Sequence, residues 1–97
     1  MNHFIYKDGN EIYRVREEDE GCSIYTSSLF VEGNNSLFLI LKDFSEAGIE
    51  ETLNKYFDTF DKNVVKKDLL ELFSDFSEAG LFNETYNRIR KRCEDII

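Results

Sequence analysis

The sequence predicts an α+β domain, with an N-terminal antiparallel sheet of three or four strands followed by three helices and a further C-terminal helix. Three observations predict it. Residues 4–32 hold short β-branched and aromatic runs separated by turn residues. From Leu37 onward, apolar residues recur at helical spacing. The hexapeptide Asp43-Phe44-Ser45-Glu46-Ala47-Gly48 returns letter for letter as Asp75-Phe76-Ser77-Glu78-Ala79-Gly80, each time after a leucine-rich run. In both copies the glycine supplies a left-handed residue past a helix end, and the next apolar residue (Ile49, Leu81) folds back on the last turn. A helical array would need about three copies, so the repetition marks one local chemistry used twice.

Phe4 to Lys7 and Glu11 to Arg16 are the first two strands, joined by Asp8-Gly9-Asn10. Asp-Gly signals a tight hairpin, because type I′ turns need positive φ. In the second run Ile12, Arg14 and Arg16 alternate with Tyr13, Val15 and Glu17, so one face is the more apolar. Glu17 to Gly21 reads as a solvated acidic turn. Cys22 to Tyr25 is the next strand, Thr26-Ser27-Ser28 a turn, and Leu29 to Glu32 the strand after it, with Gly33 ending the sheet.

The run Leu37 to Leu41 fits a buried strand, which would make residues 33–36 a hairpin loop. Against that, Leu37, Ile40, Leu41 and Phe44 sit at i, i+3, i+4 and i+7, and Asn34, Asn35 or Ser36 offers a helix cap. Helix is the preferred reading. Ile49 to Phe57 is next, a short helix, and Asp58 to Asn63 is a polar link in which Asp61 or Asn63 caps the next helix, Val64 to Ala79. Its stripe of Val65, Leu69, Leu72, Phe73 and Phe76 faces the core, while Leu70 and Phe73 lie toward a neighbouring face beside Lys66 and Ser74. That apolar arc is wider than one packing surface requires. Asn83 to Ile97 closes the chain as a helix with Tyr86, Ile89, Cys93 and Ile96 or Ile97 inward. It carries the chain's basic concentration, Arg88-Arg90-Lys91-Arg92.

Composition narrows the function. Ninety-seven residues suit a single domain burying about 60–65% of its unfolded surface, and 41% hydrophobic content with nine Phe and five Tyr supplies the core. Twelve Lys and Arg against 20 Asp and Glu leave a formal net charge of −8, which opposes a nucleic-acid partner because phosphates demand a basic stripe. Cys22 and Cys93 are one distant pair without a signal peptide, so reduced thiols in the cytoplasm are expected. No apolar run approaches the ~18 residues of a membrane span, and a soluble protein is expected.

Reaction chemistry is not in evidence. His3 is the only histidine and lies near a terminus; with two distant cysteines it makes no zinc constellation and no nucleophile–base pair. Gly33 and Gly48 belong to no phosphate-cradling loop, and carboxylates such as Glu46 and Glu50 fit solvated helix faces. A non-catalytic protein with no cofactor and no metal is expected.

The layout of strands then helices is winged-helix-like, and some of its residues resemble a known family. Arg16-Glu17-Glu18, then Glu20-Gly21-Cys22-Ser23-Ile24-Tyr25, a turn, Leu29-Phe30-Val31, Asn34 and Ile40-Leu41 are similar to the PqqD-like pattern. That pattern runs R-E-E, G-x-L-L-Y, turn, apolar strand, L-N and then I-L within the first helix. Ile49 to Leu53 resembles its short second helix, and Val65 to Leu81, ending A-G-L, its third. Glu32-Gly33-Asn34 stands where L-N is usual, and Ser23 replaces an apolar residue. The likeness covers about residues 4–82, and 83–97 would be a helical extension.

The resemblance implies a peptide-recognition element for ribosomally made, post-translationally modified peptides. Such an element binds the leader of a precursor peptide and presents it to a modifying enzyme, such as a radical SAM protein. The implied mechanism is β-augmentation on the edge formed by Leu29, Phe30, Val31 and Glu32. Side-chain selection would fall to the cleft against the third helix. There Leu70 and Phe73 would receive an apolar anchor, beside Ser74, and Lys66 or Lys67 would pair with an acidic leader residue. Two further readings compete: a winged-helix nucleic-acid-binding or regulatory protein contacting through Arg88 to Arg92, and a dimeric scaffold with its seam on the C-terminal helix.

Overall fold

The computed structural model describes residues 2–96. Among the described residues there are four strands and four helices: β1 (His3–Asp8), β2 (Glu11–Glu18), β3 (Gly21–Tyr25), β4 (Phe30–Gly33), α1 (Asn35–Ala47), α2 (Ile49–Thr59), α3 (Lys62–Glu78) and α4 (Asn83–Glu94). The fold is α+β, an N-terminal antiparallel sheet followed by helices. The chain divides into two compact units, the first ending at Ala47 and the second beginning at Gly48. Residues 83–96, expected as an extension, belong with the second unit.

In the first unit the strands lie in the order β1-β2-β3-β4, each antiparallel to the next. The β1–β2 loop is Gly9-Asn10, and of these only Gly9 has positive φ, at 61°. That is the II′ pattern, with glycine first, where I′ was expected. Strand β2 runs two residues past its expected end, to Glu18, because the acidic residues Glu17 and Glu18 continue the ladder opposite Cys22 and Gly21. Tyr6 opposite Tyr13, and Val15 opposite Ile24, turn one face inward. Helix α1 covers that face with Leu37, Phe38, Leu41 and Phe44, and Phe38 meets Phe4 at 5.6 Å between ring centroids. Residues 37–41 are therefore helical, as their 3.6-residue spacing predicts.

Asn34 starts α1: its side-chain oxygen accepts from the Leu37 N–H at 2.8 Å, and its carbonyl from the Phe38 N–H at 3.2 Å. Two glycines let the sheet end come close to this helix. Gly21 sits at φ 119°, and a Cβ there would collide with the Gly33 carbonyl. A Cβ on Gly33 would stand 2.5 Å from a Leu37 methyl.

In the second unit α4 packs on both α2 and α3. Asp61 caps α3, accepting from the Val64 N–H at 3.1 Å. Val65, Leu69 and Phe73 are buried on α3, while Leu72 and Phe76, expected in the same stripe, are only half-buried. On α4 the buried residues are Thr85, Ile89 and Cys93; Tyr86, expected inward, is half-buried, and Ile97 lies outside the described residues. The two hexapeptide copies diverge after their glycines. At Gly80 (φ 86°) the Leu81 N–H reaches the Phe76 carbonyl at 2.8 Å and the Gly80 N–H reaches Ser77 at 3.0 Å, a Schellman closure. Gly48 has positive φ too, but at ψ 157° it is extended and leads straight into α2, its carbonyl accepting from the Thr52 N–H at 3.2 Å.

Candidate functional site

Strand β4 is an edge of the sheet: among the described residues it pairs with β3 alone, and β1 forms the other edge. The N-terminal hairpin lies on the far side of β3, so it does not cover β4. The turn before β4 is closed by Thr26, whose N–H donates to the Leu29 carbonyl at 2.9 Å and whose hydroxyl oxygen accepts from the Leu29 N–H, also at 2.9 Å. An antiparallel ladder alternates hydrogen-bonded and non-hydrogen-bonded pairs. With Thr26–Leu29 bonded, Ile24–Val31 and Cys22–Gly33 are bonded too, and the main-chain groups of Phe30 and Glu32 point away from β3.

The four residues expected on this edge thus separate by role. Leu29 precedes the strand, and both its main-chain groups serve the turn, so it offers none to an incoming strand. Val31 bonds inward and faces the same side as Ile24. Phe30 and Glu32 carry the outward groups. The side chain of Phe30 is 53% exposed and stacks on Tyr25 at 5.0 Å between centroids.

The remaining expected residues lie on α3, in the second unit. Phe73 does not line a groove: it is fully buried and meets Phe82 edge-on at 6.0 Å, so the unit's own rings occupy it. The wide apolar arc that suggested a ligand is filled by α2 and α4. Leu70 is half-buried and Lys67 exposed. Lys66 donates to the Ile96 carbonyl at 3.4 Å, and the Ser74 hydroxyl donates to the Glu71 carbonyl at 3.2 Å, both within the unit.

Comparison with family models, with curated proteins and with solved structures finds no match. The geometry therefore carries the functional reading.

The three arginines of the basic cluster on α4 are engaged at home. Arg88 pairs with Glu50 at 3.9 Å, and Arg92 donates to Asn54 at 3.0 Å while lying over the Phe57 ring at 5.2 Å. Arg90 lies over Tyr86 at 5.7 Å. These contacts tie the arginines to α2 and to α4's own surface. The apolar side of α4 is likewise covered within the unit, with Ile89 and Cys93 buried. Both cysteines are free thiols, and burial pushes each above the ordinary thiol range; at Cys93 the nearby Lys66 and Arg92 oppose that shift. Neither is an activated nucleophile, since a reactive thiol needs the opposite shift. Among the described residues, no group of three or more His, Cys, Asp or Glu is arranged to hold a metal, and no helix is long and apolar enough to cross a membrane.

The outer face of the sheet is not legible from the sequence. The side chains that face away from α1 include Ile5, Ile12, Arg14, Tyr25 and Phe30, brought into one surface by the strand register. The alternation in β2 announces two faces, but only the pairing shows which residues of β1, β3 and β4 join the outer one.

Proposed function

We propose that this chain is a non-catalytic peptide-binding module that takes the leader of a ribosomally made precursor peptide as an added strand on β4. The observation that carries the reading is the orientation of Phe30 and Glu32, whose main-chain groups point out of the sheet along an edge with no strand partner among the described residues. Main-chain pairing there is blind to sequence and supplies affinity; peptide side chains that alternate above and below the sheet supply choice. The residues that resemble the PqqD-like pattern converge on the same strand, with Gly21 to Tyr25 forming the neighbour on which β4 is built. In this reading the module delivers its peptide to a modifying enzyme, such as a radical SAM protein, in a reducing cytoplasm where Cys22 and Cys93 stay free. The nucleic-acid reading is the weaker one, because net charge −8 opposes it and Arg88 and Arg92 already have partners.

The test is a proline on the outward register. Glu32→Pro removes an N–H that the β3 ladder does not use, which an edge strand tolerates. A synthetic peptide matching the N-terminal segment of a short precursor encoded beside this gene should bind this variant about five- to tenfold more weakly, the worth of one hydrogen bond. Glu32→Ala should bind it nearly as the parent does. Equal binding by the proline variant would remove β4 as the docking edge.

A further inference from the structure

The outer face of the sheet is a feature that peptide docking on the β4 edge leaves unused. Cross-strand register sets its residues in rows. One row reads Ile5, Arg14, Tyr25, Phe30 from β1 to β4; the next reads His3, Arg16, Ser23, Glu32. Ile5 is 46% exposed and Ile12, beside them on β2, 58%. Ile5, Ile12, Tyr25 and Phe30 thus gather apolar side chains around Arg14 on one face, the kind of grouping that suits an interaction surface. His3, Lys7, Arg14 and Arg16 lie on β1 and β2 and Glu32 on β4, while Glu18 at the end of β2 pairs with Arg16 at 3.5 Å.

We propose that this face is the seam of a symmetric dimer, with a second copy of this chain as its occupant. A two-fold axis parallel to the strands, between β2 and β3, lays each row over itself in reverse. Ile5 then meets the partner's Phe30, Arg14 meets the ring of the partner's Tyr25, and His3 meets the carboxylate of the partner's Glu32. Each contact occurs twice, as an isologous interface requires. Apolar meets apolar, a guanidinium meets an aromatic face, and a donor meets an acid. An axis across the strands would instead set Arg14 on the partner's Arg14 when it runs along that row, or on the partner's Arg16 when it runs between the two rows, and like charges oppose both. Aligned sheet packing at about 30° keeps the match best near the axis. An acidic peptide would satisfy only the β1–β2 half and leave Phe30 and Glu32 unanswered, so a second copy fits the face better. Net charge −8 on each copy resists approach at low salt, but at about 0.15 M the screening length of about 8 Å leaves the close contacts to decide.

Sedimentation of the full chain at that salt, over a series rising to about 1 mM, reads the association directly. The parent is expected to form a concentration-dependent dimer. Ile5→Glu and Arg14→Glu, both at exposed positions, are each expected to weaken it by about tenfold or more with unchanged circular dichroism. The double variant Ile5→Glu/Phe30→Lys is expected to recover it, because opposite charges then face each other at both symmetry-related contacts. A parent that stays monomeric throughout, a dimer indifferent to Ile5→Glu and Arg14→Glu, or a double variant without recovery would each overturn the proposal. None of these readouts uses a peptide, so the outcome is independent of the β4 reading.

Discussion

Phe82 is held at φ 55°, the left-handed region, although it is not glycine. Full burial keeps it there: it packs edge-on against Phe73 at 6.0 Å and Phe76 at 5.7 Å. Backbone strain of about 1–3 kcal/mol is characteristic of such a position, and ring burial outweighs it. Phe82→Ala should therefore cost the second unit about 3–5 kcal/mol, mostly by leaving a cavity. Phe82→Gly should cost no more than the alanine change, despite its smaller side chain, because glycine adopts positive φ freely. Denaturant unfolding of both variants checks this; a glycine variant clearly less stable than the alanine one would show that strain is absent. Nothing in the sequence marks residue 82 as unusual, since a Phe after Gly-Leu reads as ordinary core. Phe73 misled for a related reason. A wide apolar arc on a helix shows that several surfaces press on it, but not whether those surfaces are the protein's own helices or a ligand.

Among the elements, those with local chemical signals were the most legible. Turn residues separated the four strands, and the 3.6-residue spacing of Leu37, Ile40, Leu41 and Phe44 decided helix over strand for α1. Asn34, one of three candidate caps, is the one the structure uses. Asn34→Ala should lower the stability of the first unit by about 1 kcal/mol, seen as a lower denaturation midpoint with an unchanged slope; no change would mean that water caps the helix equally well. Register was not legible. Leu29 reads as the first residue of a strand because it is apolar and β-adjacent, but the Thr26 hydroxyl draws its N–H into the turn and shifts β4 one residue onward. The identical hexapeptides make the same point. Six shared residues end both helices, but Gly48 enters α2 at once whereas Gly80 opens a short link to α4, and that difference decides which hydrogen bonds close each helix. Local sequence sets how an element ends, and the next element sets the geometry of the exit.

For the whole molecule, two compact units and an excess of acid frame what it does. The acid opposes polyanions, and the arginines of α4 are tied to α2 and to α4's own surface. For peptide recognition the first unit offers main chain: a short edge strand whose outward groups alternate with inward ones. In the proposed function a peptide completes the sheet at that edge. Amide chemical shifts of the full chain, recorded while the precursor-derived leader peptide is added, test it most directly. The largest changes are expected on β4, Phe30 to Gly33, with slower exchange of the Phe30 and Glu32 amides and smaller changes on β3. Changes confined to β1 or to residues beyond Gly48, with β4 untouched at saturation, would contradict it.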